Sequence, residues 1–179
     1  EGGSVLEAAA VVLATGGLSV PQTGSDGTGL DIVRRLGHTL TPPYPALTPL
    51  LATPPPHAEL AGVSLRVRLT APHGGSAATT EGGFLFTHRG YSGPAVLDVS
   101  HHAVLAARER RAQPILVQWT DADAAEWDRT LRDAPAGTVG SLLRRRLPDR
   151  LAERLLREAD TPGERPLSQL RRDERARLV

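Results

Sequence analysis

The rhythm of apolar and polar positions changes several times along the chain. Ala8-Ala9-Ala10-Val11-Val12-Leu13-Ala14 is a continuous apolar run ending at Thr15-Gly16-Gly17, which predicts a strand buried on both faces of a parallel sheet. A Gly/Ser/Thr-rich loop from Leu18 to Gly29 follows. Leu30 to Leu36 then reads as a short helix, with Ser25, Asp26 or Thr28 available as its cap and Gly37 placed to end it. From Val63 to Thr70 apolar and polar residues alternate, which predicts an antiparallel strand with one dry and one wet face. A turn at Pro72-His73-Gly74-Gly75, a return strand around Ala77 to Thr80, a second turn at Glu81-Gly82-Gly83 and a strand Phe84-Leu85-Phe86-Thr87 are expected next.

Pro94 to Ala107 fits a helix, with Ser92 as cap and Pro94 in the first turn. Pro114 to Trp119 is a further strand candidate. From Asp121 onward the spacing is helical, roughly over 122–133, 138–146, 148–159 and 167–178, with breaks at Pro135, Gly137, Pro148 and Thr161-Pro162-Gly163. Between these regions, Thr41 to Pro56 carries seven prolines, the texture of a connector between two domains. The expected fold class is α+β in several parts. No repeat of constant period is present.

Composition narrows the chemistry. In 179 residues all 21 basic side chains are Arg, and Lys, Cys, Met and Asn are absent. No lysine Schiff base, complete phosphate loop ending in G-K-[ST], thiolate metal site or redox dithiol can therefore be built. The hydrophobic share of 40% supports folding. A net charge of +1 argues against a dominant polyanion-binding role. No apolar run approaches the roughly 20 residues of a membrane span and no signal peptide is visible, so a cytoplasmic setting without a membrane partner is expected. A start at Glu1-Gly2-Gly3 without Met suggests a piece of a longer protein.

Charge is uneven. Residues 141–179 hold 11 Arg against 7 acids, a local +4, while residues 1–140 hold 10 against 13. A basic helical patch of this kind is one route to nucleic acid. Glu153–Arg157 and Arg154–Glu158 are spaced as i,i+4 pairs, however, and the segment has no aromatic residue for base stacking. A salt-laced, solvent-facing helical subdomain is the expectation. A non-catalytic interaction or nucleic-acid module remains the alternative.

Three groupings could carry chemistry. Glycines at the end of the first strand, Ala14-Thr15-Gly16-Gly17, would let a cofactor or another backbone approach; the spacing of Gly24, Gly27 and Gly29 is not a dinucleotide fingerprint. In Phe86-Thr87-His88-Arg89-Gly90-Tyr91-Ser92-Gly93-Pro94 a strand passes through a Gly-flanked turn into a helix start. Free N–H groups there, with His88 and Arg89, favour a negative ligand. A bland reading is open beside it: Ser92 only caps the helix, and His88 bonds a backbone carbonyl. His88, Asp98, His101 and His102 invite a metal reading, but paired His near a helix end is more often a solvated or dipole-satisfying feature, and no metal is expected. Ser92 misses the nucleophile elbow of a serine hydrolase by one position.

Val11 to Pro21, the Thr23-to-Gly29 loop, Leu36-Gly37-His38, Pro45 to Leu50, Leu60 to Val63, and above all Leu85 to Leu97 resemble the BaiN/YhiN-type flavoproteins, the aminoacetone-oxidase-like NAD(P)/FAD-dependent oxidoreductases. The resemblance covers residues 11–100 well. It implies a Rossmann-like FAD domain interrupted by an insert, with residues 1–45 forming part of the FAD domain, 46–120 a β-rich, barrel-like portion of the insert and 121–179 its helices. It further implies FAD as cofactor, NAD(P)H as reductant, a small-molecule substrate, and partnership with the remaining FAD-domain segments of the same polypeptide. Nucleic acid is not among the expected partners. Carried over by residue, Ala14, Thr15, Gly16 and Gly17 would approach the cofactor, as would Thr87, Gly90 and Gly93 from the insert. His88 and Ser92 are the implied catalytic residues, stabilising negative charge on reduced flavin or substrate. By this resemblance the 179-residue chain holds a minority of the FAD contacts and is inactive by itself.

Overall fold

The computed structural model describes residues 5–73, 76–134 and 136–179. The Glu1-Gly2-Gly3 start, the Gly74-Gly75 part of the first expected turn and Pro135 lie outside those residues. The chain forms two compact units, residues 1–43 and 44–179.

In the first unit a 3-10 turn at Pro21–Thr23 precedes α1 (Thr28–Arg35). Asp26 Oδ1 accepts the Thr28 N–H at 3.0 Å, and that backbone hydrogen bond holds the Asp26 carboxyl below its usual range. Gly37, at φ 88°, ends the helix as its position suggested, with Gly37 N donating to the Arg34 carbonyl at 3.0 Å. The strand expected over residues 8–14 does not form. Its run is irregular, and Val5, Leu6, Val11 and Val12 are 80 to 91% exposed. Strand hydrogen bonds need a neighbouring strand, and the described residues of this unit contain none.

The second unit is built on five antiparallel strands: β1 (Leu50–Leu51), β2 (Ser64–His73), β3 (Ser76–Thr87), β4 (Gly90–Ser92) and β5 (Leu116–Gln118), in the order β1-β4-β3-β2-β5. β2 obeys the alternation of its sequence. Val67, Leu69 and Ala71 are buried, while Ser64, Arg66 and Arg68 face water. β3 runs straight through Glu81-Gly82-Gly83, where a turn was expected. A Cβ on Gly82 would stand 3.4 Å from the Ala95 nitrogen, and one on Gly83 3.4 Å from Pro94 Cδ. These glycines admit the start of α2 (Pro94–Arg108) and do not reverse the chain. Among the described residues the sheet is open, with β1 and β5 as its edges, so the barrel-like closure expected of this region is not made.

α2 lays Ala95, Val96 and Val99 against the apolar sheet face. Ser92 does not cap it: Gly93 occupies the cap position, no side chain bonds there, and Ser92 belongs to β4 opposite Leu85. The helices α3 (Ala124–Asp133), α4 (Val139–Arg144), α5 (Asp149–Glu158) and α6 (Arg172–Leu178) follow the spacing read from the sequence. Leu131, Val139, Leu143, Leu151 and Leu156 join the strands and α2 in one core. The helix expected over 167–178 is divided into a 3-10 turn, Leu167–Gln169, and α6. Glu174 reaches back to accept the Arg171 N–H at 2.9 Å, which starts the helix anew. Of the two i,i+4 pairs, Arg154–Glu158 forms at 2.7 Å. Glu153 instead meets Arg144 at 3.3 Å, and Arg157 meets Glu59 at 3.5 Å, because tertiary partners compete with those on the same helix. No helix among the described residues is long and apolar enough to cross a membrane.

Candidate active site

The motif from Thr87 to Pro94 is the hinge between β3, β4 and α2. Thr87 shapes its tight turn: the hydroxyl donates to the Gly90 carbonyl at 3.1 Å and accepts the Arg89 N–H at 3.3 Å. Gly90, at φ 148°, lies where a Cβ would collide with the Leu50 carbonyl, so β1 can pair there only with glycine. His88 is exposed at the tip of the turn, and Ser92 is half-buried.

Period-two alternation sends Tyr91 the other way. It pairs with Phe86 on the apolar face of the sheet and enters a cluster of aromatic rings. Phe84 meets Phe86, Tyr91 and Trp119 at centroid separations of 5.0, 5.5 and 5.5 Å, and Phe86 stacks on Trp119 at 5.7 Å. Leu50, Leu69, Val96, Ile115 and Val117 complete a cavity of about 320 Å³ around Phe84, Trp119, His57 and Tyr91. Its wall is almost wholly apolar, and His57, Tyr91 and Trp119 are the lining residues that carry polar side-chain atoms.

These polar groups are connected. Tyr91 Oη lies 2.7 Å from His57 Nδ1, and His57 Nε2 lies 2.8 Å from Glu158 Oε1. Glu158 accepts in turn from Arg154 Nε at 2.7 Å. Burial pulls the Glu158 carboxyl up, but the hydrogen bonds from Arg154 and His57 outweigh it and hold the group below the usual glutamate range. An ionised Glu158 only accepts, so His57 Nε2 carries a hydrogen. In neutral His57, Nδ1 is then the acceptor for the Tyr91 hydroxyl. Burial, reinforced by the negative Glu158, pushes the Tyr91 hydroxyl above its ordinary value and keeps it protonated. Glu158 also borders a second, more polar cleft of about 470 Å³ between β5 and the helices, shared with Trp127 and Arg177. Val117 and Trp119 line both spaces.

Neither His57 nor Glu158 stood out in the sequence. His57 follows a proline run without periodicity, and Glu158 read as half of a helical ion pair. Tyr91 lies inside the motif that did stand out, and alternation from Phe84 and Phe86 was the available signal for its inward direction. Asp98, His101 and His102 stay on α2: His101 Nδ1 donates to the Asp98 carbonyl at 3.0 Å, and the two histidine rings lie 3.9 Å apart. Among the described residues no three His, Asp or Glu side chains gather as a metal site would require.

In the first unit Ala14, Thr15 and Gly16 are exposed and Gly17 is half-buried. Gly16 has φ 73°, and a Cβ there would stand 2.7 Å from Ser25 Oγ, so its own loop requires glycine. A Cβ on Gly17 would meet nothing within 4 Å.

Residues 44–179 match the family described as HI0933-like protein barrel and H2TH domain. The chain is 30% identical over 167 residues to the 3-dehydro-bile acid delta(4,6)-reductase of Clostridium scindens, a match covering 90% of this chain and 41% of that protein. It is 40% identical over 94 residues to the ribosomal RNA dihydrouridine synthase of Haemophilus influenzae, and 39% over 95 residues to that of Escherichia coli. Each match covers 51% of this chain and 23% of the relative. The chain spans less than half the length of these curated relatives.

Proposed function

This chain belongs to the HI0933-like family, in keeping with its BaiN/YhiN-type resemblance, and we propose that it is part of a flavin-dependent reductase. Its substrate is a carbon–carbon double bond conjugated to a carbonyl. In chemical terms the names of the relatives converge on that bond: one reduces a 3-dehydro-bile acid, and the others make dihydrouridine by saturating the uracil ring. The observation that carries the reading is the aromatic-walled cavity, which suits a flat, largely apolar ligand and meets it with the Tyr91 hydroxyl and His57.

Ala14, Thr15, Gly16 and Gly17 are proposed as the first unit's contacts to FAD. Thr87, Gly90 and Gly93 are proposed as the insert's contribution, and His88 and Ser92 as donors to the cofactor or substrate. When bound, FAD supplies hydride, with NAD(P)H as the proposed source of its electrons. The residues of this chain orient the substrate, exclude water through the aromatic wall and deliver protons.

The shared chemistry has two sources, a free enone and a uracil in RNA. Ion pairing occupies many of the arginines of the helical part: Arg144 with Glu153, Arg165 with Glu174, Arg175 with Asp128, and Arg154 with Glu59 and Glu158. This favours the free enone. The test uses the full-length protein loaded with FAD, photoreduced without oxygen and mixed with a 3-oxo-4-ene steroid or with oligouridylate. Reoxidation by the steroid is the expected result, and reoxidation by oligouridylate alone moves the substrate to RNA. A protein that takes up no FAD, or is reoxidised by neither, overturns the reading.

A further inference from the structure

We propose that Thr87 is a positioning residue of this reductase: its hydroxyl fixes the turn that presents His88, and it does not itself touch the cofactor. The inference rests on the reading above, in which His88 donates to cofactor or substrate, and it says how that histidine is held.

Thr87 pairs with Gly90, so β3 and β4 are joined by a loop of two residues, His88 and Arg89. Loops of this length follow the twist of their strands in the turn types that place a positive φ at the first or at both central residues. Neither His88 nor Arg89 has a positive φ. The reversal is therefore made with the less favoured twist, and other groups hold it there.

Thr87 holds it from within. Its hydroxyl accepts the Arg89 N–H at 3.3 Å, two positions on, and gives its one hydrogen to the Gly90 carbonyl at 3.1 Å. From outside, β1 pairs Leu51 with Gly90, and the Ala52 N–H donates to the Arg89 carbonyl at 3.1 Å. Arg89 is thus fixed at both of its backbone groups, while strand pairing fixes Thr87 on the other side of His88.

His88, set between these two anchors, is exposed, and among the described residues its ring has no partner. The reading in which it bonds a backbone carbonyl is not met. A histidine kept for the fold uses its ring nitrogens within the fold; this one leaves both for a ligand. Thr87 differs. Its only hydroxyl hydrogen is committed to Gly90, so it has none to give a flavin, and its contribution is the placement of His88.

The experiment uses the full-length, FAD-loaded protein, photoreduced and mixed with the 3-oxo-4-ene steroid or oligouridylate. Thr87→Val keeps the branched shape but neither hydrogen bond. It is expected to slow reoxidation by the reactive probe about tenfold or more, with FAD affinity unchanged and hydrogen exchange at the Arg89 amide accelerated. Thr87→Ser keeps both hydrogen bonds and should react at the wild-type rate. Combined with His88→Ala, Thr87→Val should slow the reaction no further, because it acts only through His88.

Wild-type protein that neither probe reoxidises sinks the reductase reading, and this assignment with it. A reactive wild type matched by an equally fast Thr87→Val leaves that reading standing and overturns the role of Thr87. Loss of FAD affinity in Thr87→Val at an unchanged melting temperature makes Thr87 a cofactor contact, which also overturns it. So does a double variant in which the two effects multiply. A slow Thr87→Ser has the same force, and it remains decisive where Thr87→Val does not fold.

Discussion

The hydroxyl of Tyr91 lies 2.7 Å from Nδ1 of His57, across 34 positions of sequence and from β4 to the end of the proline-rich connector. The contact joins the strand pair to the helical part of its unit, because His57 also reaches Glu158 on α5.

That linkage carries a pH dependence with a definite sign. The Glu158 carboxyl is held below its ordinary value of 4.5, so the stability it contributes is complete above that value and is lost as pH falls through the depressed one. Glu158→Gln should remove this dependence. Urea denaturation across the acid range is expected to show a wild-type advantage that shrinks as the pH is lowered; a constant difference would show that the carboxylate charge is not involved.

Phe86 is 1% exposed and touches Phe84, Trp119, Tyr91 and His57. Phe86→Ala should cost about 3–5 kcal/mol through lost burial and the cavity left behind. Equilibrium unfolding in denaturant measures it, and a loss below about 1 kcal/mol would mean that the neighbouring rings collapse into the space.

Ser100 is fully buried on α2 and anchors the chain ahead of β1. Its Oγ accepts the Thr48 N–H at 3.1 Å and donates within reach of the Leu97 and Ala46 carbonyls, at 2.7 and 3.3 Å. Ser100→Ala strands a partly buried donor, at about 1–3 kcal/mol. Hydrogen exchange at the Thr48 amide should accelerate in the variant, and unchanged protection would refute the anchor.

Gly90→Ala places a methyl against the Leu50 carbonyl. Release of β1 is the expected result, seen as lost protection at Leu51 and Ala52, whose neighbours in the pairing are Gly90 and Arg89. An alanine variant with wild-type stability would contradict the backbone placement.

His88→Ala tests the exposed end of the same motif in the full-length protein. If His88 donates to reduced flavin or substrate, a half-reaction slows by more than about tenfold while the melting temperature holds, as expected for one lost donor. Unchanged half-reactions return His88 to the turn alone.

The second unit was substantially legible from one-dimensional pattern. Alternation located β2 and helical spacing located α2 to α5, because each periodicity reports a face buried by one local geometry. The failures share a cause. Gly82 and Gly83 carry the composition of a turn but serve close helix approach; residues 8–14 have the composition of a strand but no strand to pair with among the described residues of their unit; Glu153 has an i+4 arginine but meets Arg144. In each case the deciding partner lies outside the local sequence.

The same division applies to the site. The sequence alone determined the family and the excluded lysine and cysteine chemistries, and it singled out Thr87 to Pro94 as a motif, since these depend on residue identity and order. Tertiary structure decided that Tyr91 turns inward between the exposed turn at His88 and half-buried Ser92, and that His57 and Glu158 stand behind it. Strand register sets the first and long-range folding the second. Hydrogen bonds of 2.7 and 2.8 Å between residues 34 and 101 positions apart arise only when the sheet, the connector and α5 close around one core.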